Sequence, residues 1–384
     1  MQIDITESLA EFSPDSWNQL VGDQYPFLRH EFLLTAEQSG CVATETGWKP
    51  RHIGLRDKSG KLLGAMPLYE KTHSWGEFVF DWSWAHAYER AGLDYYPKLV
   101  SAAPFTPARS PRLLAQTDEI RRALIEAACN YAKSSGNSSL HVLFPEKNEI
   151  AALEKSGLKL RKDCQFHWHN QNFRNFEDFL QTFNASKRKK ARRDRRHVVE
   201  QGISFRWLQG NDLDASLWSD IYDLISITFL RRGSMPYFSK EFFVEVASQC
   251  PASIQVVLAE RNRLPVAAAL FYDSPNVLYG RYWGSEAHHN ALHFETCYYQ
   301  GIEYCIANGR KRFEPGTQGE HKISRGFTPV ETWSAHWLER PEFFAAIGSY
   351  LDEETSHIDR YIEAVNSHSP YRDQSVDGPL GSAR

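Results

Sequence analysis

The 384-residue chain lacks the sequence features of a membrane or secreted protein. It has no run of about 18 apolar residues, the length that a helix needs to cross a bilayer. Its first residues, MQIDITESLAEF, contain neither the basic segment nor the apolar segment of a secretory signal. We therefore expect a cytoplasmic protein.

Common metal, redox and nucleotide motifs are also missing. The six cysteines show no C-x-x-C spacing, and the one adjacent pair of histidines, His288 and His289, has no further ligand spacing nearby. The chain contains no P-loop, no G-x-S-x-G nucleophile elbow and no H-E-x-x-H sequence. We predict no bound metal, and cysteines that serve mainly as small core residues in a reducing compartment.

The composition indicates a folded protein with two cores. The length exceeds that of one ordinary domain, and 42% of the residues are hydrophobic, which is enough to fill two interiors. The formal net charge is only −4. The molecule as a whole therefore does not attract polyanions, and any contact with nucleic acid or a membrane surface must come from a local patch.

The order of predicted elements repeats along the chain as helix, hairpin, third strand, helix and strand. We predict an α/β (α+β) fold of two mixed-sheet modules packed side by side, at residues 1–169 and 170–366, and a disordered tail at 367–384. In the first half the predicted elements are helix 16–38 interrupted at Pro26, a hairpin at 51–71, a strand at 76–82, an irregular insertion at 83–118, a helix at 119–133, and strands at 139–144 and 158–170. In the second half they are helices at 215–230, 239–249, 292–307 and 341–366, three strands within 254–284, and strands at 311–316 and 330–338.

The most unusual segment is SKRKKARRDRRHVVEQG, with eight Lys or Arg between Lys187 and Arg196. Ser186 and Gly202 are suited to cap the two ends of a helix at 186–201. So many cations predict a phosphate-bearing partner, such as a coenzyme pyrophosphate, a tRNA backbone or an anionic lipid head group. A solvated surface helix is the alternative. The candidate phosphate ligands are Lys187, Arg188, Lys190, Arg192, Arg193 and Arg196.

A second segment, FEPGTQGEHKISRGF at 313–327, joins two predicted strands and is rich in polar side chains. Loops at strand ends often carry functional groups. Transfer of an acyl group to an amine needs a base and a group that stabilises negative charge. Glu320 and His321 are candidates for the base, and Lys322 and Arg325 for the charge-stabilising group. A polar connecting loop with a salt bridge is the alternative.

Two further regions are candidates for substrate binding. His293 and Glu295 start the predicted helix 292–307, where anions are favoured, although capping or packing would also explain a lone histidine. The aromatic segment 81–98 is either one wall of a substrate cleft or a self-packed loop. The candidate substrate-binding residues are Trp82, Trp84, His86, Tyr95, His293, Glu295 and Glu314.

These residues resemble the Fem-type branch of the GNAT (acetyltransferase-like) superfamily. Fem peptidyltransferases have two GNAT-like modules, a helix rich in Arg and Lys before the second module, and a lysine shortly before a Gly-Phe or Phe-Gly pair near the end. Lys322 and Gly326-Phe327 hold that place here. Blocks such as FVFDWSWAHAYER, LYGRYWG and RFEPGTQGEHK resemble a bacterial family of Fem-like proteins usually connected with peptidoglycan biosynthesis.

The resemblance implies an acyl- or aminoacyltransferase that uses an acyl-CoA or an aminoacyl-tRNA and acts on an amine, with a cell-wall precursor as one candidate. GNAT enzymes usually hold the coenzyme with an [RQ]-x-x-G-x-[GA] turn, and SEAHHNALHFE lacks those glycines. This departure argues against acetyl-CoA and is compatible with a charged tRNA or with lost activity. An acetyl-CoA-dependent N-acetyltransferase and a non-catalytic binder of RNA or anionic lipid are the alternatives.

Overall fold

The computed structural model describes residues 1–317 and 319–372, which form fifteen β-strands and twelve α-helices. The strands are β1 (Gln2–Thr6), β2 (Trp48–Pro50), β3 (His52–Arg56), β4 (Leu62–Met66), β5 (Tyr69–Lys71), β6 (Lys98–Ser101), β7 (Leu114–Ala115), β8 (Ser139–Leu143), β9 (Lys159–His169), β10 (Ile203–Gln209), β11 (Ile254–Arg261), β12 (Leu264–Asp273), β13 (Val277–Ser285), β14 (Arg312–Glu314) and β15 (Thr328–Leu338). The helices are α1 (Pro14–Val21), α2 (His30–Gln38), α3 (Trp82–Arg90), α4 (Asp118–Ser134), α5 (Lys147–Lys155), α6 (Phe176–Gln181), α7 (Ala185–Glu200), α8 (Ala215–Leu230), α9 (Lys240–Gln249), α10 (Leu292–Phe294), α11 (Gln300–Ala307) and α12 (Pro341–Asn366).

One mixed sheet of eleven strands runs through both halves of the chain, in the order β10-β11-β12-β13-β14-β9-β15-β8-β6-β5-β2. A smaller sheet has the order β1-β3-β4-β7. The pairs β6–β8 and β13–β14 are parallel, and the remaining pairs are antiparallel. Each parallel pair is joined by a helical crossover, as parallel strands require: α4 in the first half, and α10 to α11 in the second.

The two halves of the chain share strands and a core. Strand β9 ends at the predicted boundary between residues 169 and 170, and it lies between β14 and β15 of the second half. Phe27 lies 4.8 Å from Tyr272, and Phe32 lies 5.2 Å from Phe242, measured between ring centroids. These edge-to-face and tilted contacts join the N-terminal helices to the second half through buried aromatic surface.

The strand predicted at 76–82 is wrong. Phe78, Phe80 and Trp82 alternate along the sequence as in a strand, but the segment is a loop in which Phe78 has a φ of 60° and Phe80 is exposed. The buried side chains are instead Glu77, Val79 and Asp81. The two carboxylates are buried because they pair with the ammonium of Lys98, on β6. The predicted insertion at 83–118 is accordingly not irregular, since it contains most of α3 and all of β6 and β7.

Two further predictions also need correction, one of a helix and one of the tail. The predicted helix 292–307 contains a π-helical turn at Glu295–Tyr299, between α10 and α11. The first six residues of the predicted disordered tail are ordered, because Tyr371 donates a hydrogen bond of 2.6 Å to the carbonyl of Gly326 and packs its ring on Phe183. Residues 373–384 of that tail lie outside the described residues. None of the helices in the described part of the chain is long and apolar enough to cross a bilayer.

Candidate active site

The largest cavity beside the sequence-predicted residues lies between α7 and the 3-10 turn Glu320–Arg325, with a volume of about 710 Å³. We call it the basic cleft. Helix α7 supplies three cations to it, the start of α10 supplies a second wall, and the end of α12 supplies a third. Its lining residues are Lys187, Lys190, Arg193, Asp194, Asn290, Ala291, Phe294, Glu320, His321, Ile323, Ser324, Arg325, Val365 and His368.

Helix α7 begins one residue earlier than predicted, because the side chain of Asn184, rather than Ser186, accepts the hydrogen bond from the Lys187 amide. Its buried face is narrow and consists of Ala191, Asp194 and Val198. Lys187, Lys190 and Arg193 are three residues apart, so they lie along one side of the helix and all reach the cleft.

The other predicted phosphate ligands do not line the cleft. Arg188 donates a 3.1 Å hydrogen bond to the carbonyl of Phe183, and Arg192 forms an ion pair with Glu177. Arg196 lies 3.7 Å from Glu200 on the exposed side of the helix. The structure therefore separates the six candidates into three that face the cleft and three that point elsewhere.

The turn Glu320–Arg325 brings together the four residues predicted to be catalytic, in different surroundings. Glu320 is exposed and accepts a 3.1 Å hydrogen bond from the hydroxyl of Tyr361, at the edge of the cleft. His321 is exposed on one side, and its pKa is lowered by partial burial and by the charges of Lys322 and Arg325. Gly319, with a φ of 105°, makes room for the imidazole, since a Cβ there would lie 2.0 Å from a ring carbon of His321.

Arg325 connects the turn to its neighbours. Its Nη1 donates hydrogen bonds to the carbonyl of His321 at 2.6 Å and to the hydroxyl of Ser324 at 3.0 Å. The guanidinium lies 3.3 Å from the centroid of the Phe294 ring, and its Nη2 is 3.7 Å from a carboxylate oxygen of Asp194 on α7. Nη1 is therefore occupied by the protein, Nε has no hydrogen-bond partner among the described residues, and these contacts fix the shape of the cleft.

Lys322 points away from the cleft, into the interior. Its ammonium donates a 2.5 Å hydrogen bond to the carbonyl of Gly316, and burial lowers its pKa to about 7. The charge of Arg281 lowers this pKa further, and the proximity of Cys297 opposes that effect. Arg281 and Cys297 both line a second, smaller cavity, so the ammonium of Lys322 lies close to that cavity.

This second cavity, which we call the inner cavity, has a volume of about 80 Å³. It lies where β12 and β13 meet the π-helical turn. A β-bulge shapes it, since Leu270 pairs with Tyr282 while Phe271 pairs with Gly280, which leaves Arg281 as an extra residue on β13. The lining residues are Ala269, Leu270, Phe271, Gly280, Arg281, Tyr282, Trp283, His293, Cys297, Tyr298 and Pro315.

A short chain of hydrogen bonds connects the two cavities. The hydroxyl of Tyr298, in the inner cavity, is 2.8 Å from Nε2 of His321 in the basic cleft. It is also 3.3 Å from Nε2 of His293, whose pKa burial lowers to about 4. Neutral imidazoles on both sides of a phenol can pass a proton between the cavities, which suits general acid–base chemistry.

Glu295 and Glu314, predicted as substrate ligands, are engaged by arginines. Arg195 of α7 contacts Glu295 at 3.0 Å and Glu303 at 2.7 Å, which fixes the helix against the π-helical turn. Glu314 is buried in the sheet, 2.7 Å from Nε of Arg312. Neither carboxylate lines the basic cleft or the inner cavity.

The aromatic candidates of the first half form a separate cluster. Trp84 lines an apolar cavity of about 250 Å³ between α3 and α12, and Trp82 packs against Trp75. His86 is exposed on α3, while Tyr95 is buried and donates a 2.7 Å hydrogen bond to Asp81. This cavity shares no lining residue with the basic cleft or the inner cavity.

The profile of the FemAB-like family, described as peptidoglycan biosynthesis/recognition, matches residues 8–373. The chain belongs to the FemAB-like family. None of the curated protein sequences compared with it matches significantly.

Solved structures have the same fold as this FemAB-like chain. FemX has a TM-score of 0.56 at 12% identity, over 91% of this chain and 100% of its own. The C-terminal domain of a putative lysylphosphatidylglycerol synthetase from Agrobacterium fabrum has a TM-score of 0.54 at 9% identity, over 88% and 96%. L-PGS from Bacillus licheniformis has a TM-score of 0.51 at 11% identity, over 84% and 96%. At these identities the likeness shows the fold, and the predicted mixed α/β class is confirmed.

Sequence reasoning missed several residues of the site in this FemAB-like protein. Arg281 and Tyr282 line the inner cavity because of a bulge, and a bulge has no reliable signal in a single sequence. Cys297 and Tyr298 reach it from the π-helical turn, which the helical periodicity hides. In the part of the chain that the structure describes, no group of three or more His, Cys, Asp or Glu is arranged to hold a metal ion.

Proposed function

We propose that this FemAB-like protein is an acyl- or aminoacyltransferase in which the basic cleft binds the phosphates of the donor and the inner cavity receives the reacting groups. The hydrogen bond between Tyr298 and His321 supports this assignment most directly, since it joins a cation-lined cleft to a small, partly open cavity. A phosphate-bearing donor and a buried point of reaction require that combination.

His321 is the better candidate for the base. Its lowered pKa keeps the imidazole neutral near pH 7, and its Nε2 contacts the hydroxyl that leads into the inner cavity. Glu320 lies at the exposed edge and is already bonded to Tyr361. The base removes a proton from the amine as the new C–N bond forms and the bond from the acyl carbon to the donor breaks, and the proton then passes to the leaving group.

Lys322 is suited to the negative charge that develops on the acyl oxygen. It is buried beside two residues of the inner cavity, where a positive charge acts with little screening by water. The donor is an aminoacyl-tRNA or an acyl-CoA, and the acceptor is an amine, with a cell-wall precursor as the candidate that the family description favours.

Labelled-group transfer tests the proposal. The full chain is incubated with aminoacyl-tRNA, acetyl-CoA or longer acyl-CoAs, each labelled in the acyl group, together with amino acids, peptides and cell-wall precursors. We expect a base-stable amide product with at least one donor, and a loss of product in His321→Ala. His197→Ala on α7 is the matched control, because that histidine is exposed and pairs with Glu200. Transfer from none of the donors would contradict the proposal.

A non-catalytic binder of RNA or anionic lipid is the second candidate function. The exposed Lys189 and Arg196 favour it, since they extend the positive charge of α7 beyond the cleft. If it is correct, the chain binds tRNA or anionic vesicles in a salt-dependent way and forms no amide product with any donor.

A further inference from the structure

The inner cavity contains an arginine that has no carboxylate partner. Nη2 of Arg281 donates a 2.7 Å hydrogen bond to the carbonyl of Phe105, but its Nε has no partner. Among the described residues, no Asp or Glu oxygen lies within 4 Å of the guanidinium, in contrast to the pairs that Arg195, Arg310 and Arg312 form. Arg281 is half-buried in the wall of this cavity, and a cation that is partly removed from water is costly unless an anion joins it.

The protein holds this guanidinium in a fixed position. Phe105 has a φ of 54°, an uncommon backbone conformation for an aromatic residue, and its carbonyl accepts from Arg281. The ring of Phe105 stacks on Tyr237, with centroids 4.9 Å apart and planes 6° apart, which keeps the loop in place. Arg281 also lies 5.9 Å from the ring centroid of Phe27. Phe105 and Phe27 belong to the first half of the chain, so that half helps to hold the guanidinium beside the inner cavity.

Other hydrogen-bond donors beside Arg281 also lack partners. Within residues 1–317 and 319–372, the buried hydroxyls of Tyr282 and Tyr272 have no hydrogen-bond partner, and neither has Nδ1 of His293. Tyr282 and His293 line the inner cavity, and the bulge at Gly280–Tyr282 is the reason that Tyr282 and Arg281 both face it. A guanidinium with no carboxylate partner and a phenol with no hydrogen-bond partner among the described residues form a site for a group that only accepts hydrogen bonds, as a carboxylate does.

We propose that Arg281 and Tyr282 bind a carboxylate of the amine acceptor, so that the acceptor is an amino acid or a peptide rather than an amino sugar or a lipid amine. The assignment of this ligand as the acceptor rests on the proposed function. The binding of a carboxylate at Arg281 and Tyr282 does not depend on that function. A volume of about 80 Å³ accommodates a carboxylate with one or two carbons. One carboxylate also neutralises Arg281, the single fully charged side chain among the described lining residues.

Binding of matched ligands to the full chain tests this site without any donor. Alanyl-alanine and alanyl-alaninamide differ only in the carboxylate, and inorganic phosphate is a third probe. We expect calorimetric or ligand-observed NMR binding by the dipeptide, and binding at least about tenfold weaker by the amide, as the loss of a charge-assisted pair implies. Arg281→Gln should weaken dipeptide binding by a similar factor, and Tyr282→Phe by a smaller one.

Arg206→Gln is the matched control, since Arg206 is exposed and pairs with Glu260 away from both cavities. If Arg281→Gln does not fold, the binding measurement is made with Arg281→Lys and Tyr282→Phe instead. The proposal would be overturned by equal binding of the dipeptide and the amide, or by tighter binding of phosphate than of the dipeptide. Unchanged dipeptide binding in both Tyr282→Phe and Arg281→Lys would also overturn it. Carboxylate-dependent binding in a protein that transfers nothing would refute the proposed function and leave the carboxylate site standing.

Discussion

The hydroxyl of Tyr298 and Nε2 of His321 lie 2.8 Å apart, and they belong to different cavities. Tyr298 reaches the inner cavity from a π-helical turn, an irregularity often found at functional sites. His321 lies on the turn that faces the cations of α7. This contact joins the two cavities, and in the proposed function it is the path for a proton between the donor and the reacting amine.

Removal of that hydroxyl should slow transfer with little effect on folding. In Tyr298→Phe we expect kcat to fall by about tenfold or more, because His321 loses the partner that orients its ring. Tyr304→Phe, on α11, is the control, since its hydroxyl bonds to Asp273 outside both cavities. Steady-state kinetics give kcat for the two variants. Equal values in both would contradict a role for the Tyr298–His321 contact.

The pH dependence of transfer should have two limbs. The alkaline limb follows Lys322, whose pKa burial lowers to about 7, so the positive charge is present below that pH and is lost above it. The acid limb follows His321, whose lowered pKa places its protonation below the ordinary value for histidine. We expect Lys322→Arg to move the alkaline limb upward by more than one pH unit, because arginine stays charged. An unchanged alkaline limb in that variant would exclude Lys322.

A pair of buried histidines on neighbouring strands, His141 on β8 and His336 on β15, predicts a pH dependence of stability. Nδ1 of His336 is 2.7 Å from Nδ1 of His141, and its Nε2 is 2.8 Å from the hydroxyl of Ser334. Burial lowers the pKa of His141 to about 3, and it lowers the pKa of His336 well below the usual range. Both pKa values are lower in the folded than in the unfolded chain. The pair therefore contributes stability above pH 6.5 or so that is lost as the pH falls towards the folded values.

The variant His336→Gln removes one of these two titrations. Between about pH 6 and about pH 4, its free energy of unfolding should fall less steeply than that of the native chain, by up to about 1.4 kcal/mol per pH unit. Glu77 has the opposite effect on the pH dependence of stability, because burial raises its pKa to about 7. It is present in both proteins, as are Asp81, Lys98 and Arg161, so these groups do not account for a difference in slope. Urea titrations at several pH values provide the measurement. Identical slopes would show that His336 does not titrate on unfolding.

The sequence predicts most regular elements correctly, because their hydrophobic periodicity is strong. Helix α4 is an example, with a capping Thr117 and a buried stripe that includes Leu124 and Ala128. The loop at 76–81 shows why local reasoning fails elsewhere. Glu77 and Asp81 are buried by an ion pair with Lys98, a residue about twenty positions away, and no local pattern encodes that partner.

The site shows the same division between local and long-range information. The density of charge in α7 predicts a binding helix, but only the helix orientation distinguishes Lys187, Lys190 and Arg193 from Arg188, Arg192 and Arg196. That orientation depends on the narrow buried stripe of α7 and on the contacts of Asp194 and Arg195 with the second half.

The two groups of cations on α7, one at the cleft and one away from it, provide the most direct test of the proposed donor site. Two triple variants each remove three charges from the same helix: Lys187, Lys190 and Arg193→Gln at the cleft, and Arg188, Arg192 and Arg196→Gln away from it. Dissociation constants for the donor identified by the transfer assay are measured at several salt concentrations. We predict at least about a tenfold loss of affinity and a smaller salt dependence in the first variant, and little change in the second. Equal losses in the two variants, or no loss in the first, would contradict the claim that the cleft holds the donor phosphates.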